Sequence, residues 1–215
     1  MEFCVWLLHE SKSVNLIKIN SKYLFSKMNT FNIEKYISSL PLDTEEIILT
    51  NLKFEVLPSI KQFWNLTKLH LSNNQLTQIT DFSENLVHVN LSNNLLMKLP
   101  NLPTKKLKTL ICSNNRIKEL PEIPDCVVHL YCKSNRLRKV PKLSKNLKRL
   151  NISTNLIHKI EHFPKTLQIF EAKTNFISQF PEFPENMFKI DISCNDFRTI
   201  PNIPCSTQNL FVTNS

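Results

Sequence analysis

Asparagine recurs at positions 74, 94, 115, 135, 155, 175 and 195, a spacing of 20 with a single 21. A fixed period of this length means that one short unit is stacked on copies of itself, so the chain must fold as a linear array. Around each asparagine the frame is L-x-x-L-x-L-x-x-N-x-L-x-x-L, as in Leu66, Leu69, Leu71, Asn74, Leu76 and Ile79. A further apolar residue follows eight positions after each asparagine, at Phe82, Leu102, Ile123, Leu143, Phe163, Phe183 and Ile203. Every one of these slots is apolar although apolar residues make up 41% of the chain, which chance does not produce. Prolines mark the same register twice: Pro58, Pro100, Pro121, Pro141, Pro181 and Pro201 at one position, and Pro103, Pro124, Pro164, Pro184 and Pro204 at another.

Within a unit the x-L-x-L-x segment alternates, which predicts a short strand with its leucines inward, and stacked units then give a parallel sheet. An asparagine buried at the strand's end offers two amide donors and a carbonyl acceptor, enough to tie its own turn to the neighbouring one. Asn74, Asn94, Asn115, Asn135, Asn155, Asn175 and Asn195 are therefore expected to be a structural ladder and not a binding surface. The 215 residues contain no glycine. Asparagine tolerates positive φ, which predicts it as the turn-former. Twenty residues per unit and prolines in the return leave no room for a helix there, so the convex side should be extended and polyproline-like.

Leu99-Pro100-Asn101-Leu102-Pro103 and Leu120-Pro121-Glu122-Ile123-Pro124 spell L-P-x-L-P. With this punctuation the chain resembles the leucine-rich-repeat family, in its short 20-residue class, over about residues 42–215. Repeats of this class are typical of secreted bacterial effectors of the YopM and IpaH type, and similar arrays occur in large-virus and protist proteins. The resemblance implies a repeat solenoid of the α/β leucine-rich-repeat class, mostly β: a curved horseshoe with a parallel concave sheet and an extended, helix-poor convex side. A degenerate unit carrying Thr44, Ile47, Leu49, Leu52, Phe54 and Leu57 precedes seven clear ones, and Thr207, Leu210 and Val212 open a truncated one. Residues 1–41 fit the frame poorly and are read as an N-terminal cap, with a loose strand over Val14 to Ile19 and a short helix over Phe31 to Leu40. The last strand should present an open edge, a route to a homodimer.

A chain without glycine cannot write a GxGxxG or Walker loop or a GxSxG elbow, which argues against most nucleotide-dependent enzymes. No cofactor is expected, and no enzymatic activity. Six cysteines without a CxxC pair read as buried thiols of a reducing compartment. The apolar run Phe3 to Leu8 follows Glu2 and not a basic segment, so no leader or membrane span is read. Two of three sequons, at Asn90 and Asn151, fall on expected strands, while the third is at Asn65. These features give an expectation of an intracellular protein, in its own cytoplasm or in that of a host. His158-Lys159-Ile160-Glu161-His162 spells the H-x-x-E-H of zinc proteases, but Ile160 fills an apolar repeat slot in an extended segment, where the two histidines would not share a helix face. No metal site is expected from it.

Charge is the informative functional feature. Lysine and arginine total 27 against 18 acids, and the stretch from Lys105 to Arg149 holds only Glu119, Glu122 and Asp125 as acids among thirteen bases. Lys108, Lys133, Lys148 and Arg149 map to the concave strands, while Arg116, Lys118, Arg136, Arg138 and Lys139 follow the asparagines onto an adjacent rim. The outward residues expected to bind a partner are Lys68, His70, His88, Asn90, Lys108, Ile111, His129, Tyr131, Lys133, Lys148, Arg149, Asn151, Glu171, Lys173 and Lys189. The reading is a non-enzymatic module that binds a protein on its concave face, an acidic one where the basic repeats meet it. Two alternatives stand beside it: the basic patch takes a polyanion, either nucleic acid or an anionic membrane, or the chain is an adaptor that recruits a ubiquitin ligase.

Overall fold

The computed structural model describes the backbone of residues 16–18 and all of residues 32–213. Expectations that fall on Val14, Asn15, Ile19 and Phe31 lie outside the described residues. In chain order the elements are β1 (Leu16–Lys18), α1 (Ile33–Ser39), β2 (Glu46–Ile48), β3 (Val56–Leu57), β4 (Lys68–His70), β5 (Gln78–Ile79) and β6 (His88–Asn90). They continue with β7 (Thr109–Ile111), β8 (His129–Tyr131), β9 (Arg149–Asn151), β10 (Ile169–Glu171), β11 (Lys189–Asp191) and β12 (Asn209–Phe211). Ten of them form one all-parallel sheet in the order β1-β2-β4-β6-β7-β8-β9-β10-β11-β12, the concave wall of a horseshoe solenoid.

The frame sets the register without slippage. Ile47, Leu69, Val89, Leu110, Leu130, Leu150, Phe170, Ile190 and Leu210 stand side by side across the sheet. All point inward, and all but Leu210 are buried. Burying each such side chain contributes about 1.5–3 kcal/mol, and stacking is the only way a three-residue strand can do so. Of the apolar slots in the seven units, all are buried except Leu120, Val140, Phe163, Phe180 and Ile203, which are half-buried, and Ile200, which is 66% exposed. Ile200 and Leu210 lie in the last turns, where no further turn covers them among the described residues. Phenylalanines thicken the core at this end: Phe163 meets Phe170 and Phe183 with ring centroids 4.8 and 5.1 Å apart, and Phe180 meets Phe197 at 5.7 Å.

The seven anchoring asparagines are buried and form the ladder their chemistry predicts. Asn135 is representative. Its Nδ2 donates to the Cys132 carbonyl of its own unit at 3.1 Å and to the Cys112 carbonyl of the unit before at 3.0 Å, while its Oδ1 accepts from the Ile117 N–H at 3.0 Å. Asn74 repeats this pattern one strand after the degenerate unit, bonding Leu49 and Leu52.

The left-handed turn is not made by these asparagines. Positive φ falls one residue earlier, at Asn73, Asn93, Asn114, Ser134, Thr154, Thr174 and Cys194, with φ between 54 and 60°. The anchor needs its side chain aimed into the core, so the preceding residue makes the bend. Its N–H then reaches the next unit, as from Thr154 to the Lys173 carbonyl at 2.7 Å.

Extended return segments cover the convex side, as the prolines require, with one addition. β3 and β5 pair in parallel as a two-stranded second sheet on that side, Leu57 beside Ile79. Among the described residues α1 is the one helix. Asn32 caps it, its Oδ1 accepting from the Lys35 N–H at 2.9 Å, and Pro41 forces Leu40 into extended backbone at its end. The helix buries Ile37, and β1 pairs in parallel with β2.

Candidate functional site

Because strand residues alternate, each unit presents two residues from its strand to the concave surface, and the pairing aligns them in two rows. One row runs Glu46, Lys68, His88, Thr109, His129, Arg149, Ile169, Lys189 and Asn209. The other runs Ile48, His70, Asn90, Ile111, Tyr131, Asn151, Glu171, Asp191 and Phe211. Most of the expected binding residues are in these rows. Four are not: Lys108 and Lys148 each precede a strand, and Lys133 and Lys173 each follow the last inward residue. The strands are only three residues long, so these lysines edge the concave sheet and do not sit within it. The main-chain carbonyls of Lys108 and Lys148 each accept two N–H bonds from the next unit, which fixes their backbone where the strands begin.

Glu46, Thr109, Ile169 and Asp191 also belong to the rows. The frame of the degenerate unit already put Glu46 outward, and the other three occupy the same outward slots in their own units. Glu46 matters most, because its carboxylate lies 3.7 Å from Lys68 Nζ and 3.3 Å from His70 Nε2 and so neutralises the first units. At the far end Glu171 pairs with Lys189 and accepts from Asn151 Nδ2 at 3.0 Å, while the Asp191 carboxylate accepts from the Ser193 N–H. Lys189 Nζ also sits 5.6 Å from the Phe211 ring centre.

The centre is different. Between Glu46 and Glu171 neither row holds a carboxylate, and among the described residues Lys108, Lys133, Lys148 and Arg149 have no ion pair. The acids of this stretch lie elsewhere: Asp125 takes Lys145 at 3.1 Å and Glu119 takes Lys139 at 3.8 Å, both at exposed positions away from the strands. Hydrogen bonds from the Lys145 N–H and side chain hold the Asp125 carboxyl below its usual range. Partial burial, then the charges of Lys68 and His70, lowers the pKa of His88, and partial burial, then Arg149, Lys148 and His88, lowers that of His129. His129 Nδ1 is buried without a hydrogen-bond partner among the described residues. His70 and His88 are diagonal across β4 and β6, since His70 pairs with Asn90, and no group of three metal-ligating residues occurs among the described residues.

Cys112 and Cys132 fill the same inward slot on successive turns. Both are buried, and a hydrogen bond with Cys112, then burial, pushes the Cys132 thiol well above the usual range, so it stays protonated. Residues 158–162 are not helical, and His158 stacks on Phe176 with centroids 5.3 Å apart. Asn90 and Asn151 lie in β6 and β9.

The Leucine Rich Repeat profile matches residues 65–84, one full turn of the array. Rabbit (Oryctolagus cuniculus) lumican is 31% identical over 130 residues, which span 54% of this chain and 67% of the relative. The chain belongs to the leucine-rich-repeat family. Mouse (Mus musculus) lumican is 32% identical over 131 residues, but there the match spans 38% of the relative. Among solved structures, the leucine-rich effector YopM of Yersinia pestis superposes with a TM-score of 0.74 at 30% identity, over 82% of this chain and 49% of that one. A Shigella effector leucine-rich-repeat domain superposes with a TM-score of 0.67 at 22% identity, over 91% of this chain and 99% of that one, which shows the shared fold. The chain thus spans about half of the Yersinia effector and well under half of mouse lumican.

Proposed function

We propose that the chain is a non-enzymatic interaction module whose concave centre, across β7 to β9, binds an acidic segment of a protein partner. One observation carries the reading: Ile111 and Tyr131 stand side by side, giving an apolar and aromatic anchor, and among the described residues the cations around them have no ion pair while Lys68 and Lys189, toward the two ends of the sheet, do. An aromatic anchor within a solvent-exposed positive rim suits a peptide with alternating apolar and acidic side chains. Of the cysteines expected to be buried, only Cys112 and Cys132 are so among the described residues, with Cys126 and Cys194 half-buried and Cys205 exposed; all five are free thiols, which supports a reducing compartment and so a place inside a cell. The family's use as an interaction scaffold agrees with this by analogy of fold.

The test is capture of partners from nuclease-treated lysate at about 0.15 M salt, where long-range attraction is screened. Wild type is compared with a Tyr131→Ala, Arg149→Ala double variant and with Arg116→Ser on the outer flank. A discrete protein retained by wild type and Arg116→Ser and lost by the double variant is the expected result. Equal retention by all three would remove the concave centre from consideration. Separately, half-exposed Leu210 and Phe211 at the β12 edge favour pairing with a second copy. A purely monomeric sedimentation profile at high micromolar concentration would exclude it.

A further inference from the structure

The basic residues of the central turns divide between two surfaces, and the second has its own architecture. After each asparagine the chain does not wander: the next residue donates its N–H to the preceding turn, from Arg116 to Leu96 at 2.9 Å, Arg136 to Ile117 at 2.9 Å, Leu156 to Leu137 at 2.8 Å and Phe176 to Ile157 at 2.9 Å. These rungs hold the segments in register, so side chains at equivalent positions stack into straight rows outside the concave sheet. One row reads Leu95, Arg116, Arg136, Leu156, Phe176, and the next reads Met97, Lys118, Arg138, His158. A third reads Lys98, Glu119, Lys139, Lys159. The cations in all three are exposed, and Glu119 is the one acid in them up to Phe176.

Two further features lie on this flank. Met97, Lys98, Lys118, Glu119, Arg138 and Lys139 line a shallow depression across three turns. At its C-terminal end lie the stacked His158 and Phe176 rings, inclined by 22°, with Phe176 still 44% exposed, and the first row continues past them to exposed Asp196, whose N–H donates to the Ile177 carbonyl at 3.0 Å. A line of guanidinium groups leading to an open aromatic face is the arrangement that takes successive phosphates and then stacks a base. We infer that this flank binds single-stranded nucleic acid, with Arg116, Arg136, Lys118 and Arg138 on the phosphates and Phe176 against a base. A duplex would satisfy the cations but hide its bases from Phe176. An anionic membrane would need several protruding apolar anchors, whereas Leu95 and Leu156 are half-buried and Met97 is the one aliphatic side chain of these rows that stands clear. The inference is independent of what the concave face binds.

The experiment is fluorescence anisotropy with a labelled single-stranded oligothymidine, a duplex of equal length and anionic vesicles, over a salt series. Two variants remove the same number of charges from different faces: Arg116→Ser, Arg136→Ser, Arg138→Ser on the flank, and Lys133→Ser, Lys148→Ser, Arg149→Ser on the concave side. Single-strand binding should have a log–log salt slope of about −0.7 for each phosphate neutralised, and the flank variant should flatten that slope by about 2. The concave variant should keep it. Phe176→Ala should weaken single-strand binding about tenfold and leave duplex binding unchanged. Equal loss in the two triple variants, or no effect of Phe176→Ala, or binding to vesicles without binding to the oligonucleotide, overturns the inference.

Discussion

Thr154 and Thr174 show what it costs to build this array without glycine. Each holds φ near +55 to +58°, a region in which a β-branched side chain crowds its own backbone at a cost of about 1–2 kcal/mol. Asn93 and Asn114 hold the same place more easily and add a rung of their own, Asn114 Nδ2 donating to Asn93 Oδ1 at 2.8 Å. Thr154→Asn should therefore stabilise the protein by about 1 kcal/mol, read as a higher urea midpoint at unchanged m-value. A neutral or lower midpoint would mean that the threonine is not strained. The buried neighbour behaves in the opposite way. Asn135→Ala removes one acceptor and two donated bonds at once and leaves the Ile117 N–H without its partner in the core, so a loss of about 1–3 kcal/mol is expected. The exposed Asn101→Ala, in a return segment and outside the positive-φ positions, is the control and should cost less.

At the scale of the strand, the row through His88, Thr109, His129 and Arg149 makes a pH-dependent claim. His129 faces Thr109 from β7 and Arg149 from β9, with Lys148 and Lys108 at the strand starts, Tyr131 on its own strand, and His88 two strands away. Its folded pKa is depressed, so the neutral ring is favoured in the fold. The stability it contributes is fully present above the unfolded value of about 6.5 and is lost as pH falls through that value and then through the lower folded one. Proton titration by NMR should find His129 below an ordinary histidine because of partial burial first, and Arg149→Ala should move it part of the way upward; a value unaffected by Arg149→Ala would remove Arg149 from the causes and leave burial alone. The inward half of such strands was legible in the sequence because burial imposes a period that Leu69, Leu110 and Leu150 display directly. The outward half was legible as rows but not in extent, since nothing in the letters says that a strand stops after three residues and strands Lys108 and Lys133 at its margins. Asparagine as turn-former holds at Asn73, Asn93 and Asn114, while Ser134, Thr154, Thr174 and Cys194 take the same conformation in the other units, because the geometry reserves the anchoring asparagine for core bonding and puts the bend on whatever residue precedes it. The His158–Phe176 stack was invisible for another reason. The two residues are one repeat apart at different offsets, and only the rungs between turns bring them together.

For the whole molecule the consequence of the period is that stability has a position along the axis. Each turn contacts only its neighbours, so an inward residue is worth what both adjacent turns make of it. Leu130, fully buried between Leu110 and Leu150, has turns on both sides, whereas among the described residues Leu210 pairs with Ile190 alone and is 45% exposed. Leu130→Ala should cost about 2–5 kcal/mol, and Leu210→Ala a small fraction of that, because the site is already open to water. Hydrogen exchange should show the same gradient. Amides at the centre, such as the Cys132 N–H held by the Asn151 carbonyl at 2.8 Å, should exchange only on large-scale opening, and those from about Thr207 onward should open locally. A second copy docked on the β12 edge would supply the missing neighbour, so protection there should rise with protein concentration if the edge pairs and stay constant if it does not. Uniform protection along the array at every concentration would contradict the nearest-neighbour picture itself, since only a globally cooperative core gives that result.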